Sequence, residues 1–110
     1  MLELLLASVV FASPQEGQSH KECIETISSA LEASGEPATV VAQATISACV
    51  TLEVKPTASN VLGSMTLEDR KEVIETYRAA YERRIVLKIV RMRACRKTPG
   101  CSLAALPKAV

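Results

Sequence analysis

The feature that most constrains the fold is a long stretch, from residue 64 to residue 98, that contains neither proline nor glycine. Apolar residues recur within it at steps of three and four, the period of one helical face. They are Ile74, Tyr77, Tyr81, Ile85, Ile89 and Met92. Residues 85–90 read IVLKIV, which suggests a strand by composition, but they continue the helical period without a break. We therefore predict one long helix that begins at a Thr66 cap and ends near residue 95.

Two shorter helices are predicted before the long one. Ser19 and Glu22 have the S-x-x-E spacing of a capping box, which starts a first helix over residues 20–33, and a glycine follows it. A second helix is predicted over residues 37–53. Its β-branched content leaves a strand open, whereas its alanine spacing favours a helix. Residues 57–65 are predicted to be a linker.

The composition favours packed helices. The chain has 110 residues, enough for one small domain, and only 3% of them are aromatic although 48% are hydrophobic. Aliphatic and alanine contacts must therefore build the core, which suits helices better than aromatic-rich β-sandwiches. We predict an all-α fold with three helices. The first two form a hairpin pinned by a disulfide, and the long third helix packs against it.

Four cysteines, Cys23, Cys49, Cys95 and Cys101, allow three pairings into two disulfides. Cys23 and Cys49 lie at nearly equal distances from the turn between the first two helices, which places both at the open end of the hairpin. Cys95 and Cys101 flank a Pro-Gly turn that lets the chain double back. We predict these two local pairs rather than the long-range alternatives. Because no C-x-x-C pair occurs, a zinc site is disfavoured, and no metal or other cofactor is expected.

A short apolar run, Leu4–Ala12, predicts export. A helix needs about 20 apolar residues to cross a bilayer, so this run fits instead the apolar region of a signal peptide that is cleaved after Ala12. Glu3 stands where a signal peptide carries a positive charge, which suggests that a basic beginning precedes the given sequence. The alternative is an apolar N-terminal helix that packs in the core.

The predicted organisation has four parts. Residues 1–12 are the signal peptide, residues 13–19 a flexible lead-in, residues 20–97 the helical domain, and residues 98–110 a turn with a weakly ordered tail. We predict a periplasmic or secreted location, which agrees with the even number of cysteines. No transmembrane helix is predicted.

Charge is distributed unevenly along the chain. All twelve acidic residues lie at or before Glu82, and every charged residue after it is basic. Four of these cations lie on one face of the predicted long helix or at its edge: Arg84, Lys88, Arg91 and Lys97. One interpretation is an anion-binding surface for lipid head groups, nucleic acid or an acidic protein. The interpretation we favour is that this end of the helix packs near the acidic hairpin and complements the helix dipole.

The candidates for catalysis are weak. The single histidine, His20, lies one helical turn before Cys23, but a disulfide-bonded cysteine has no thiolate to act as a nucleophile. Carboxylate pairs such as Glu22 and Glu25 lie at spacings typical of a solvated helix face. We therefore predict that the chain is not an enzyme and has no catalytic or cofactor-binding residues. No aromatic residue lies among the cations after Glu82, so specific nucleic acid binding is not expected.

The stretch from Cys23 to Cys49 has a distinctive order: a cysteine-bearing helix, a Gly-Glu-Pro turn, and an alanine-rich helix that ends in a cysteine. An arginine-rich long helix follows. This order resembles that of small exported bacterial helical proteins of uncharacterised function, and the resemblance implies no activity. The function we expect is that of a small exported, non-enzymatic structural or interaction protein with an unidentified protein partner. The alternative is an anion-binding module that uses the basic end of the long helix.

Overall fold

The computed structural model describes residues 17–106, and every regular element in that range is helical. The helices are α1 (His20–Glu32), α2 (Ala38–Ala48), α3 (Val61–Ser64) and α4 (Leu67–Arg96). Two 3-10 turns, Val50–Leu52 and Leu103–Ala105, follow α2 and α4. The all-α prediction is confirmed, with α1 and α2 as the hairpin and α4 as the predicted long third helix. The predicted signal peptide, residues 1–12, lies outside the described residues.

α1 begins at the predicted capping box. The Ser19 hydroxyl accepts a hydrogen bond from the Glu22 N–H at 3.1 Å and donates one to Glu22 Oε1 at 3.1 Å. The first bond satisfies a backbone N–H that has no partner inside the helix, whereas the Glu22 carboxylate meets the Ser19 hydroxyl and not the Ser19 N–H, so the box is formed in part. α1 ends at Glu32, and Gly35 then takes a φ of +81°, a left-handed conformation that strains residues with a Cβ. The turn leads into α2, for which Pro37 is the N-cap residue.

α2 is shorter than predicted. It ends at Ala48 instead of near residue 53, and the chain tightens into a 3-10 turn in which the Leu52 N–H donates to the Cys49 carbonyl at 3.0 Å. The first two residues of that turn are β-branched, and such residues crowd the preceding turn of an α-helix. A 3-10 turn is a common way to close a helix C-terminus. The strand alternative for the predicted second helix, residues 37–53, is wrong, because residues Ala38–Ala48 form an α-helix.

The predicted linker contains a one-turn helix, α3, which the sequence patterns did not predict. Asn60 Oδ1 accepts hydrogen bonds from the Gly63 N–H at 3.0 Å and the Thr57 N–H at 3.1 Å, and Asn60 Nδ2 donates to the Lys55 carbonyl at 2.7 Å. A Cβ on Gly63 would collide with the Thr57 carbonyl oxygen, so a glycine is required where these two backbone segments approach. The linker therefore folds back on itself as a compact turn.

α4 runs for 30 residues without a break, which corresponds to about 45 Å of helix. Thr66 caps it as predicted, because its hydroxyl accepts a backbone N–H of the first turn at 3.2 Å. Arg96 is its last residue. The predicted apolar stripe is buried only in part: Ile85 and Ile89 are fully buried, whereas Tyr77 is 65% exposed. The hairpin helices are much shorter than α4, so the hairpin covers only part of it.

The hairpin and α4 share one small aliphatic core. The hairpin supplies Ile24, Ile27, Val41 and Ala42 to it, and α4 supplies Ile85 and Ile89. Two hydroxyls are also buried there. The Ser28 hydroxyl donates to the Ile24 carbonyl at 2.6 Å, and the Thr45 hydroxyl donates to the Val41 carbonyl at 2.8 Å. Burial therefore leaves neither hydroxyl without a hydrogen bond.

Both predicted disulfides are present. The Cys23–Cys49 bond joins α1 to the end of α2 with 5.8 Å between the Cα atoms, and the Cys95–Cys101 bond closes a short loop with 5.3 Å between them. Cys23 and Cys49 are fully buried, so their disulfide is part of the core. The second disulfide fixes the turn after α4. Residues 107–110 of the predicted tail lie outside the described residues.

We predict that the two disulfides contribute unequally to stability. Replacing Cys23 and Cys49 together by alanine should lower the free energy of unfolding by about 3.5 kcal/mol, because their bond closes the longer loop. The matched double replacement of Cys95 and Cys101 should cost about 2 kcal/mol. Urea denaturation of both variants measures the difference. A larger loss in the free energy of unfolding for the variant without Cys95 and Cys101 would contradict the prediction.

Candidate functional site

The four cations predicted as an anion-binding face do not form one open surface. Lys88 lies in the interface with α1, and its side chain is 11% exposed. The other three, Arg84, Arg91 and Lys97, are exposed. Of the four predicted cations, one therefore makes a contact inside the fold, and the other three lie separately on the surface.

Lys88 Nζ lies within hydrogen-bond distance of four oxygens on α1. These are Ser28 Oγ at 2.7 Å, Ser29 Oγ at 2.9 Å, the Glu25 carbonyl at 3.1 Å and Glu25 Oε2 at 3.2 Å. An ammonium group has three protons to donate, so Lys88 can hydrogen-bond to three of these four oxygens at a time. The other carboxylate oxygen, Glu25 Oε1, is buried and has no hydrogen-bond partner within residues 17–106. Lys88 is therefore the cation that compensates a half-buried carboxylate on α1.

A second charged contact lies at the C-terminal end of α1. Arg96 Nε donates to Glu32 Oε1 at 2.7 Å, and the Glu32 side chain is only 2% exposed. Arg93 Nη2 donates to the Glu32 carbonyl at 3.0 Å, which otherwise lacks a partner inside the helix. The negative end of the α1 dipole disfavours a carboxylate here. Arg96 compensates the charge of this carboxylate, and Arg93 gives the unpaired Glu32 carbonyl a hydrogen bond. Since Lys88 contacts Glu25 and Arg96 contacts Glu32, α4 runs in the same direction as α1.

A third charged contact joins the end of the hairpin to the middle of α4. Arg78 and Glu53 form a forked pair, in which Arg78 Nε donates to Glu53 Oε2 at 2.9 Å and Arg78 Nη2 donates to Glu53 Oε1. This hydrogen bonding raises the pKa of the Arg78 guanidinium. Three of the hairpin acids thus pair with α4: Glu25, Glu32 and Glu53. The favoured interpretation, that the cations after Glu82 pack against the acidic hairpin, is confirmed for Glu25 and Glu32, whereas Arg78 lies before that basic segment.

The exposed cations have different surroundings. The Arg84 guanidinium carbon lies 5.9 Å from the centroid of the Tyr81 ring, within cation–π range. Arg91 borders a small hollow of about 220 Å³ together with Lys88. Lys97 is the C-cap residue of α4, and its N–H donates to two carbonyls of the last turn. Within the described part of the chain, Arg84, Arg91 and Lys97 form no ion pair.

His20, in the first turn of α1, is half-buried. Its ring meets the edge of the Tyr81 ring with 5.1 Å between the centroids and 85° between the planes. The Nε2 atom is buried without a hydrogen-bond partner in residues 17–106. Burial lowers the pKa of His20, while Glu53 raises it and Arg78 lowers it. Cys23 is disulfide-bonded, so it supplies no thiolate to this histidine, as predicted.

Sequence reasoning missed two contacts near the beginning of α1 and the end of the hairpin. One is the Arg78–Glu53 pair, and the other is the contact between His20 and Tyr81. Both join residues that are far apart along the chain, and no local spacing encodes such a pair. The only available sign was that Tyr81 belongs to the apolar stripe of α4.

Within residues 17–106, no group of three or more His, Cys, Asp or Glu side chains is placed to hold a metal ion. In the same range, none of the helices combines the length and the apolar character needed to span a membrane. Comparison with protein-family models, curated proteins and solved structures finds no match to this chain. Its function is therefore inferred from the contacts described above.

We predict that Lys88 contributes to stability and Arg84 does not. Lys88→Met should lower the free energy of unfolding by about 2 kcal/mol, because it leaves a half-buried carboxylate and a buried hydroxyl without their donor. The matched change Arg84→Met, at an exposed position one turn earlier, should cost less than about 0.5 kcal/mol. Urea denaturation compares the two. Equal losses would contradict the structural use of Lys88.

We also predict that the pKa of His20 is below its ordinary value of about 6.5, because burial disfavours the charged imidazole. Between the two pKa values the unfolded chain binds more protons than the folded chain. The free energy of unfolding should therefore fall as the pH is lowered through about 6.5. A titration of the His20 ring by NMR measures the pKa. His20→Phe, which keeps a ring against Tyr81, should remove this part of the pH dependence, and a pKa above 6.5 would refute the prediction.

Proposed function

We propose that this chain is a small exported, non-enzymatic structural or interaction protein, and that its mature part begins after Ala12. The observation that carries the proposal is the pairing of all four cysteines into two disulfides. Such bonds form and persist in oxidising places such as the periplasm or the outside of the cell. The apolar run Leu4–Ala12 supports the same conclusion, because it has the length of a signal-peptide core.

The structural role is supported by how α4 uses its charges. Lys88, Arg93 and Arg96 bind groups on α1, and so the most basic part of the chain helps to hold the fold together.

The interaction role is supported by two exposed aliphatic side chains one turn apart on α4, Leu87 and Val90, which are 45% and 52% exposed. Exposed aliphatic groups beside cations suit a protein partner whose surface is apolar with an acidic border.

An anion-binding role is the second candidate, and it would use the exposed Arg84, Arg91 and Lys97. The absence of ion pairs for these three cations among the described residues supports it. Lys88 cannot be shared with an anion without loss of its contacts to α1. The Arg84→Met variant separates the two candidates. It should weaken binding to phosphatidylglycerol vesicles if Arg84, Arg91 and Lys97 form an anion site, and it should leave any association with these vesicles unchanged if they do not.

We predict that expression of the full chain in a bacterial host with a periplasm yields an exported protein that begins at Ser13. Its intact mass should correspond to loss of residues 1–12 and of the four hydrogens removed by two disulfides. A matched Leu6→Arg variant, with a charge in the apolar run, should stay in the cytosol with its four thiols reduced. Recovery of the unchanged chain from the cytosol with Met1 retained would refute export.

A further inference from the structure

One face of α4 points away from the hairpin and carries a seven-residue repeat of apolar side chains. The repeat consists of Val73, Ala80, Leu87 and Ala94. A step of seven residues is close to two turns of an α-helix, so these side chains lie above one another. Ile85 and Ile89, which pack in the core, lie on the opposite side of the helix. We call the side of α4 that carries the repeat its outer face.

The two halves of the outer face have complementary shapes. An open hollow of about 520 Å³ lies on the first half, and Met65 and Val73 contribute to its apolar wall. Asp69 and Glu72 border it. On the second half, Leu87 projects from the surface with 45% of it exposed. Leu87 of one copy can therefore enter the hollow of another copy when the second half of one α4 meets the first half of the other.

The charges of the outer face are divided in the same way. On its first half the charged residues are Asp69 and Glu72, and on its second half they are Arg83, Arg84 and Arg91. None of these side chains forms an ion pair within residues 17–106. Two parallel copies of α4 would bring like charges together, whereas two antiparallel copies bring acids to cations. The outer face is therefore complementary to itself in the antiparallel direction.

We propose that two copies of the chain form a dimer in which their α4 helices pair through the outer face, antiparallel, with a two-fold axis at Ala80. Val73 and Leu87 lie equally far from Ala80 along the helix, and so do Asp69 and Arg91. The axis therefore places Leu87 of each copy against Val73 of the other. It also places Arg91 beside Asp69, and both contacts occur twice. Ala80 has a small side chain, which lets the two helices approach closely at the axis.

This inference rests on the interaction role proposed above, and it names the partner as a second copy of the chain. The partner expected for the exposed Leu87 and Val90 has an apolar surface with an acidic border. The first half of the outer face has this character, because acids border its apolar hollow. A single helix face is a small interface, so the dimer is expected to be weak and reversible.

Sedimentation equilibrium of the oxidised protein measures the pairing. The protein should be a monomer at about 1 µM and approach the mass of two chains at about 500 µM. Leu87→Lys should weaken the dimer at least about tenfold, because it brings a charge against an apolar wall. The matched change Leu67→Lys, at a leucine of α4 that is 76% exposed and lies off the outer face, should leave the dimer unchanged.

A monomer at every concentration, or equal dissociation constants for the two variants, would overturn the pairing. Either result would leave the proposed export and the two disulfides standing, since the intact mass of the exported chain tests those separately.

An exchange of charges tests the antiparallel direction. Asp69→Arg and Arg91→Asp each bring like charges together twice in the dimer, and each should weaken it at least about tenfold. In an equimolar mixture of the two variants every facing pair is opposite in charge again, so a mixed dimer should form. The chain that carries both changes should also form its own dimer. Circular dichroism checks that each variant is folded, and a mixture of folded variants that stays monomeric at about 500 µM would overturn the proposal.

Discussion

The structure depends on the buried disulfide between Cys23 and Cys49. α1 and α2 have 13 and 11 residues, and isolated helices of about 12–15 residues or fewer are marginal in water. The hairpin supplies few large aliphatic side chains to the core, so apolar burial alone holds its two helices weakly. The disulfide closes the open end of the hairpin, and the turn at Gly35 closes the other end. α4 therefore packs on a surface whose two helices are already fixed side by side.

Charged contacts help to fix where α4 lies on that surface. α4 buries Ile85, Ile89 and Cys95 and packs Tyr81 and Val86 partly against the core, which is a small apolar contact for a 30-residue helix. Three cations of α4 reach three acids of the hairpin region, with one contact in the middle of α4 and two towards its end. A helix shifted along its axis would lose these pairs together and leave the nearly buried carboxylate of Glu32 without a cation, which is costly. The basic composition of the chain after Glu82 is thus explained in part by this contact.

The sequence was sufficient where the relevant interaction is local. The Ser19 and Thr66 caps, the long helix and both disulfides follow from spacings of a few residues or from the symmetry of a hairpin. It was insufficient where one residue meets another across the fold. Asn60 caps α3 because of a backbone approach that no pattern indicates, and the partial exposure of the α4 stripe follows from the short hairpin. Of the four predicted cations, the sequence could not tell that Lys88 alone lies inside the interface, since all four share similar helical positions.

The hairpin, closed by its disulfide, holds α4 only from about Arg78 onwards. Hydrogen exchange of the α4 amides, followed by mass spectrometry or NMR in oxidised and reduced protein, tests this most directly. In the oxidised protein we expect slow exchange for residues 85–96 and fast exchange for residues 67–77, where apolar burial is sparse. After reduction, residues 85–96 should lose protection together with α1. Even protection along the whole of α4, or protection that survives reduction, would contradict the claim.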